Sequence, residues 1–262
     1  MSDLHRLREL MRRLRAPQGG CPWDLEQTLT SLVPHTLEEA YEVADVIARG
    51  QLAELPAELG DLLFQIVFYS QLGEEQGAFT LDDVVSAIEH KLVVRHPHVF
   101  GDTSVADASE VATEWEARKA SERRARSAGL MSSELDDVPL SLPALSRARK
   151  LQKRAARVGF DWPDVAGPWQ KLHEEVAELA QAMAEGEAAA MEAELGDLLF
   201  TAVNLARHLD IDPEAALRGA NRKFENRFRY IEVAAAARGL RLEQCELTAL
   251  DSLWDAAKHA GI

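Results

Sequence analysis

The sequence predicts an all-α protein built from two copies of one helical unit. Its 262 residues are 47% hydrophobic and 28% charged, a balance typical of folded globular proteins. Aromatic residues make up only 6%, whereas Ala, Leu and Glu, which favour helices, are abundant. No segment shows the strict polar–apolar alternation of a half-buried strand with hairpin turn residues. Helices must therefore supply the core of each copy.

A seven-residue sequence occurs twice at a fixed offset. Residues 58–64, with the letters ELGDLLF, recur as residues 194–200, which lie 136 positions later. The same offset aligns the preceding acidic residues without a gap, so that Glu38, Glu39 and Glu42 match Glu174, Glu175 and Glu178. Identity over seven residues together with aligned neighbours indicates an internal duplication.

The first copy begins with two predicted helices. Residues 37–49 place apolar side chains three and four positions apart, and Gly50 suits the left-handed residue that follows a helix end. Residues 59–67 carry an amphipathic stripe. Pro56 fits the first turn of this second helix, where a missing N–H costs little. Gly50 between the helices allows them to fold back on one another.

The remainder of the first copy is expected to contain further helices. Thr80 and Asp83 form a capping-box pattern that opens a third helix, which continues to residue 94. Residues 109–126 then predict a charged helix, and residues 127–142 predict a linker. We therefore place the N-terminal domain at residues 1–126.

The C-terminal domain is expected over residues 143–262. A helix at residues 143–158 carries six Arg and Lys side chains, which we interpret as a solvated face. Asp212, which a proline follows directly, predicts the start of a later helix. Thr248, with Asp251 three residues on, predicts the start of a last short helix.

Each copy carries four carboxylates at one spacing, Glu-x₂-Glu-x₁₅-Glu-x₂-Asp. Residues three apart are neighbours on a helix face, so two antiparallel helices bring both pairs together. Four carboxylates repel one another unless cations neutralise them, and all-oxygen sites prefer Mg²⁺ or Mn²⁺. The predicted metal ligands are Glu39, Glu42, Glu58 and Asp61 in the first copy, and Glu175, Glu178, Glu194 and Asp197 in the second.

Two other interpretations of these acids are disfavoured. A di-iron bundle requires a Glu-x-x-His step beside its metals, and no histidine stands at that step after any candidate glutamate. Polar faces of ordinary surface helices would not repeat one spacing without drift. Each leucine-rich second helix also holds an Asp in its middle, although Asp is a mediocre helix former.

The net charge of −15 bounds the class of partner. It argues against a protein that coats nucleic acid, which needs a basic surface, but Mg²⁺ can still bridge carboxylates and phosphate oxygens. The longest apolar stretch, residues 62–69, is too short to span a bilayer, and the N-terminus lacks the apolar segment of a signal peptide. Two distant cysteines suggest no disulfide framework. These features predict a cytoplasmic protein with no membrane or nucleic-acid partner.

Five further motifs identify a family resemblance. They lie at residues 20–24 (GCPWD), 95–100 (RHPHVF), 141–145 (SLPAL), 158–162 (VGFDW) and 204–208 (NLARH). With the acidic elements, they make the chain resemble the MazG family of nucleoside triphosphate pyrophosphohydrolases over nearly its whole length. The resemblance implies two tandem MazG-like helical domains that form four-helix-bundle units by homodimerisation. It also implies cleavage of nucleoside triphosphates to monophosphate and pyrophosphate with Mg²⁺.

The resemblance implies roles for individual residues of the second copy. Glu174 and Glu175 are the candidate catalytic residues, since a carboxylate that is not fully engaged with metal can accept a proton from the activated water. Basic residues grip the outer phosphates, and an aromatic residue contacts the nucleotide. The candidate substrate-binding residues are Lys171, Asn221, Lys223, Arg227 and Trp254.

The first copy has a counterpart of this basic pair, Lys91 and Arg95. Glu89 precedes that pair, however, where Asn221 precedes the other. A carboxylate repels phosphate and donates no hydrogen bond unless it is protonated. We therefore expect the second copy to be the main catalyst and the first to be weakly active or structural.

Two alternative functions remain open from the sequence. One is a related all-α pyrophosphohydrolase that acts on a phosphoribosyl-linked substrate. The other is a non-catalytic helical protein that binds a partner or an alarmone and keeps metals only for stability. The reaction products distinguish these functions from triphosphate hydrolysis.

Overall fold

The computed structural model describes residues 3–101, 107, 111, 114, 115, 118 and 133–262. These residues form helices and turns and include no strand, which confirms the predicted all-α class. The chain divides into two compact units, Met1–Ser121 and Glu122–Ile262. The helix predicted at residues 109–126 lies largely outside the described residues, as does the first part of the predicted linker. The exact domain boundaries therefore stay predictions.

The described part of the first unit contains six helices. They are α1 (Asp3–Leu14), α2 (Pro22–Glu26), α3 (Val33–Arg49), α4 (Leu55–Glu75), α5 (Leu81–Arg95) and α6 (Pro97–Phe100). Helix α4 packs against α1, α3 and α5, and its residue Phe68 lies in the core with Met11 and Leu32. Arg15 joins the end of α1 to α4, because its guanidinium donates to Glu75 at 2.6 Å and lies over the Phe68 ring.

The predicted helix signals of the first unit are confirmed. Gly50 follows α3 with φ 70°, the left-handed conformation that favours glycine. Pro56 lies in the first turn of α4. At the start of α5 the Thr80 side chain accepts from the Asp83 N–H, and the Asp83 carboxylate accepts from the Thr80 N–H. Both halves of the capping box are therefore formed.

The second unit repeats this plan. Its elements are α7 (Ala144–Arg157), α8 (Ala166–Glu185), α9 (Ala188–His208), α10 (Pro213–Ala237), a 3₁₀ turn (Leu242–Gln244) and α11 (Leu247–His259). Helices α8 and α9 form a hairpin around Gly186, which has φ 76°. This hairpin corresponds to α3 and α4 of the first unit. Helix α7 packs on α9, and α10 packs on α11.

Both of these predicted helices of the second unit are present, but only one of their two predicted caps is confirmed. The Asp212 side chain accepts from the Ala215 N–H and so caps α10. Helix α11, in contrast, begins before Thr248. After the 3₁₀ turn, Glu246 has an extended backbone and occupies the N-cap position of α11. Thr248 is therefore already inside the helix and does not cap it.

The interpretation of α7 as a solvated basic face is wrong for Arg154. Arg154 is only 7% exposed, and its guanidinium donates to the carbonyl oxygens of Glu134 and Asp136. Val138, from the same preceding segment, is buried as well. The segment before α7 therefore packs onto that helix instead of leaving it open to solvent.

No helix in the part of the chain that the structure describes is both long enough and apolar enough to cross a membrane.

Candidate metal centre and basic groups

Three predicted metal ligands meet between α8 and α9. Glu175 of α8 and Glu194 and Asp197 of α9 each offer a carboxylate oxygen within 4.8 Å of the other two. Glu175 is only 4% exposed, whereas Asp197 is open to solvent. The hairpin around Gly186 produces this meeting, because it places the two acidic faces opposite one another.

Glu178, the fourth predicted ligand, lies outside this three-residue cluster but close to it. Partial burial raises the pKa of Glu178, and the negative charges of Glu175 and Glu194 raise it further. The nearby Lys171 ammonium opposes these effects. Glu178 therefore experiences the field of the cluster, and its role as a ligand stays a prediction.

Lys171 lies among the acids of α8. Its Nζ donates to Glu174 and lies 2.9 Å from Glu175 and 3.7 Å from Glu178. Hydrogen bonds to Glu174 and Glu175 raise the pKa of Lys171, so the ammonium stays charged. Lys171 was predicted from the sequence to bind substrate, and this pairing was not predicted, although the three- and four-residue spacings to these glutamates signal it.

The donor set suits a hard divalent cation. All three clustered groups are carboxylates, and oxygen-only coordination is the preference of Mg²⁺, Mn²⁺ and Ca²⁺. Glu174 is not part of the cluster, and its side chain is 57% exposed. The arrangement therefore separates the three acids that can hold a cation from Glu174, which pairs with Lys171 beside them.

The first unit contains a matching cluster of Glu39, Glu42 and Glu58, whose oxygens also lie within 4.8 Å of one another. Burial raises the pKa of Glu39, and the hydrogen bond with Glu42 and the charge of Asp61 raise it further, while a hydrogen bond with Gln65 lowers it. Asp61, like Glu178, is near the cluster but outside it. Both copies thus bring their acidic pairs together.

The cation beside the two clusters differs between the units. At the 136-residue offset, His35 occupies the position of Lys171. His35 lies 3.9 Å from Glu38 and carries charge only when it is protonated. The first unit therefore lacks the permanent ammonium that the second unit places against its acids.

The predicted substrate residues of α10 and α11 form a second group. The Arg227 guanidinium lies over the Trp254 ring at 5.3 Å, and its Nε donates to the Ile262 carbonyl at 2.8 Å. Lys223 and Asn221 are exposed, and neither has a polar partner among the described residues. Within the same ranges no hydrogen bond or ion pair joins this group to the carboxylates of α8 and α9.

An arginine–tryptophan pair also occurs in the first unit. Arg95, at the end of α5, lies over the Trp115 ring at 5.2 Å. The sequence matches Arg95 to Arg227 but does not point to Trp115, because the two tryptophans follow their arginines at different distances. Both the acidic cluster and the basic–aromatic pair are therefore present twice.

Comparison with known proteins agrees with this duplication. The family model for the MazG nucleotide pyrophosphohydrolase domain matches residues 27–100 and 168–231. The two ranges contain the first and the second carboxylate cluster, respectively.

Similar proteins match along most or all of the chain. The nucleoside triphosphate pyrophosphohydrolase of Escherichia coli (strain K12) is 48% identical over 264 residues, which cover 100% of this chain and 99% of that protein. The nucleoside triphosphate pyrophosphohydrolase/pyrophosphatase MazG of Thermotoga maritima is 43% identical over 249 residues, with coverage of 95% and 93%. A nucleoside triphosphate pyrophosphohydrolase of Mycobacterium tuberculosis is 33% identical over 234 residues, with coverage of 87% and 60%. The chain therefore belongs to the MazG nucleotide pyrophosphohydrolase family.

Proposed function

We propose that this protein hydrolyses nucleoside triphosphates, including deoxynucleoside triphosphates, to monophosphates and pyrophosphate with Mg²⁺, for which Mn²⁺ can substitute. The observation that carries the proposal is the meeting of Glu175, Glu194 and Asp197 between α8 and α9. Family membership supports the reaction, since the similar proteins carry that activity in their names. The physiological role would be control of the nucleotide pool.

In the second unit, different residues would bind the metal and accept the proton of the attacking water. Mg²⁺, when bound, supplies the positive charge that neutralises phosphate oxygens and activates water. Glu175, Glu194 and Asp197 would hold it, with Glu178 beside them. Glu174 is exposed and outside the cluster, and it would accept the proton of the attacking water.

Basic residues would hold the triphosphate. Lys171 donates to Glu174 and lies beside Glu175, so its ammonium is placed where phosphate oxygens approach the acids. Lys223 and Arg227 lie four residues apart on α10 and would bind the outer phosphates, with Asn221 as a further donor. The Trp254 ring, which the Arg227 guanidinium overlies at 5.3 Å, would help to hold that guanidinium in place.

We assign the main activity to the second unit. It carries Lys171 where the first unit carries His35, and Asn221 where the first carries Glu89. Each difference gives the second unit a better donor for an anionic substrate. The first unit would bind metal but turn over weakly.

The first test is the product profile of two matched variants of the full chain. Glu175→Gln is expected to lower kcat by about 100-fold or more, since even the partners of metal ligands are worth roughly 10–100-fold. Glu39→Gln, the same change in the first unit, should leave kcat within about twofold. Chromatography identifies the nucleotide products, and the phosphate that added pyrophosphatase releases gives kcat for each variant.

Several outcomes would contradict the proposal. Nucleoside diphosphate and phosphate as products would exclude cleavage to pyrophosphate. Hydrolysis of a phosphoribosyl-linked substrate in preference to every nucleoside triphosphate would favour that alternative. Loss of activity in Glu39→Gln alone would move the catalyst to the first unit. Circular dichroism checks that each variant is folded.

We also propose that the protein is a cytoplasmic homodimer with no nucleic-acid partner. Leu59 and Leu63 of α4, and the corresponding Leu195 and Leu199 of α9, are exposed. A two-helix hairpin with apolar side chains on its open side needs further helices to complete a bundle. A second copy of the chain would provide them.

A further inference from the structure

Two helices of the second unit end in the same kind of turn. After α11 the chain turns through Gly261, whose φ of 78° is left-handed. The N–H groups of Gly261 and Ile262 donate to the carbonyl oxygens of Lys258 and Ala257, each at 3.1 Å. This pair of bonds is a Schellman motif, and α10 ends in the same motif at Gly239, which has φ 67°. Each turn fixes the course of the main chain beyond its helix.

The turn after α11 places the main-chain oxygen of Ile262 beside a side chain of α10. The Arg227 Nε donates to this oxygen at 2.8 Å, and the Arg227 guanidinium lies over the Trp254 ring at 5.3 Å. The first contact fixes one edge of the guanidinium, and the second covers one of its faces. Since Trp254 and Ile262 both belong to α11 and its final turn, this last segment holds the guanidinium from two directions.

The final turn is anchored in the core between α10 and α11. Leu253 is only 4% exposed and packs with Ile231 and Ala235 of α10. Ala257, whose carbonyl accepts from the Ile262 N–H, is completely buried. The position of the Ile262 oxygen therefore follows from the packing of two helices.

The bond to Ile262 leaves the phosphate-binding edge of Arg227 available. A guanidinium has five N–H donors in a fixed fork, and the Nε–H is the one that Ile262 accepts. Neither Nη atom has a hydrogen-bond partner among the described residues. Phosphate is best bound by two parallel bonds from such a fork, and a guanidinium that is already oriented loses less conformational entropy on binding.

We propose that Gly261 and Ile262 are positioning residues that orient Arg227 for the triphosphate. The inference rests on the proposed function, which gives Arg227 the outer phosphates. Gly261 supplies the left-handed conformation, and Ile262 supplies the oxygen. Because that oxygen belongs to the main chain, the Ile262 side chain is not needed for this role.

The first test compares Gly261→Ala with Gly239→Ala in the full chain. A Cβ at either glycine has nothing within 4 Å, so both changes act through the cost of a left-handed φ. Gly261→Ala is expected to lower kcat/KM for ATP by roughly tenfold, mainly through KM, since a hydrogen bond to a charged group is lost. Gly239→Ala should stay within about twofold, because α10 ends roughly 15 Å beyond Arg227 along its axis. An equal loss in both variants would overturn the inference.

Two further variants separate the main-chain oxygen from the side chain. Ile262→Ala keeps the oxygen and should retain the wild-type kcat/KM. A chain that stops after Ala260 lacks the whole turn and should reproduce the loss seen in Gly261→Ala. Equal losses in Ile262→Ala and the shortened chain would assign the effect to side-chain packing and reject the proposed role of the oxygen.

A double-mutant cycle tests whether the turn acts through Arg227. Arg227→Lys keeps the positive charge but lacks the Nε donor and the planar fork. In this background Gly261→Ala should cause no further loss of kcat/KM. Losses that simply add would mean that the turn and Arg227 act independently, which would refute the inference.

The orientation of Arg227 can also be measured without turnover. Nitrogen-15 NMR should show an Nε–H signal that is absent in Arg227→Lys and that exchanges with water faster in Gly261→Ala than in the wild type. Equal exchange rates would overturn the inference even in an active protein. If the wild-type protein hydrolyses no triphosphate, the proposed function fails separately. Calorimetric binding of ATP with Ca²⁺ then decides, since weaker binding by Gly261→Ala supports the positioning role and equal binding excludes it.

Discussion

At the residue scale, the charges around each carboxylate cluster distinguish the two units. Lys171 contacts Glu174, Glu175 and Glu178, so one ammonium reduces the repulsion among three acids. Burial and repulsion raise the pKa of Glu39 in the first unit and of Glu178 in the second. Only in the second unit does a lysine ammonium oppose these effects, because His35 occupies the position of Lys171 in the first.

Glu39→Gln is expected to stabilise the protein at pH 7 in the presence of EDTA. Because the pKa of Glu39 is raised above 4.5 in the folded state, folding disfavours its charged form. The penalty is absent below the ordinary pKa and develops as pH rises through the raised value. Thermal unfolding should show a higher Tm for the variant at pH 7 and no gain at about pH 4.

The control for this experiment is Glu89→Gln, which removes one exposed carboxylate from the same unit. It should produce no comparable pH-dependent gain. An equal rise of Tm for Glu39→Gln at both pH values would show that the effect comes from packing and not from charge.

The roles of individual residues were predictable where the same residue types recur at the same spacing in both copies of the repeat. The clustered acids could be identified because two identical spacings fold into two similar helical hairpins, although each unit brings a different three of its four acids together. The unpaired oxygen of Gln152 could not be identified, because it depends on which neighbour the amide faces after folding. Asn204 and Asp161 were noted within motifs, but their connection through Arg207 is a tertiary contact that spacing does not reveal.

At the element scale, a helix begins at its predicted capping residue when that residue also has the extended backbone that an N-cap requires. Thr80 has an extended backbone, and Asp83 completes the reciprocal bonds, so α5 begins where its sequence indicates. Thr248 and Asp251 present the same letters three residues apart. They lie inside α11 because the preceding turn places the extended residue at Glu246.

Thr80→Ala is expected to destabilise the protein by about 1 kcal/mol, the usual cost of losing an N-cap side chain. The Asp83 N–H would lose its acceptor, while the remainder of α5 stays in place. Urea denaturation followed by circular dichroism measures this as a lower midpoint with unchanged slope.

Thr248→Ala provides the matched control, because this threonine is exposed and caps no helix. It should be neutral or slightly stabilising, since alanine is the better helix former. A loss equal to that of Thr80→Ala would mean that Thr248 does cap α11.

At the scale of the whole molecule, the open apolar side of each hairpin is the feature that remains to be covered. Leu59, Leu63, Leu195 and Leu199 come from the repeated sequence and are exposed in both units. Leu199→Arg is expected to weaken dimerisation, because it would bury an unpaired charge in the interface. Light scattering coupled to size exclusion should give twice the chain mass for the wild type and a lower value for the variant.

Leu247→Arg supplies the comparison, since Leu247 is exposed at the start of α11 and lies outside the hairpin. Its mass should equal that of the wild type. A wild-type protein that elutes with the mass of one chain at all concentrations would refute the dimer.

The division into two units was predictable from the repeat, whereas the differences between the units were predictable only in part. Two units follow from the ELGDLLF duplication, and their unequal roles were expected from Glu89 and Asn221. The cleft between α7, the turn that follows it and α9 was not foreseen, because a cavity reflects the combined size of side chains from three segments. Even the contrast between Phe68 and Asn204, which match at the 136-residue offset, acquires meaning only when burial is known.

That contrast has a consequence for how the protein tolerates mutation. Phe68 gives the first unit an apolar contact in its core, whereas the second unit places the amide of Asn204 at the same position. A buried aromatic ring contributes more to stability than a buried amide, so truncation of Phe68 is expected to cost more than truncation of Asn204. After the ancestral duplication, one copy could thus improve its packing while the other kept a polar side chain at the same position.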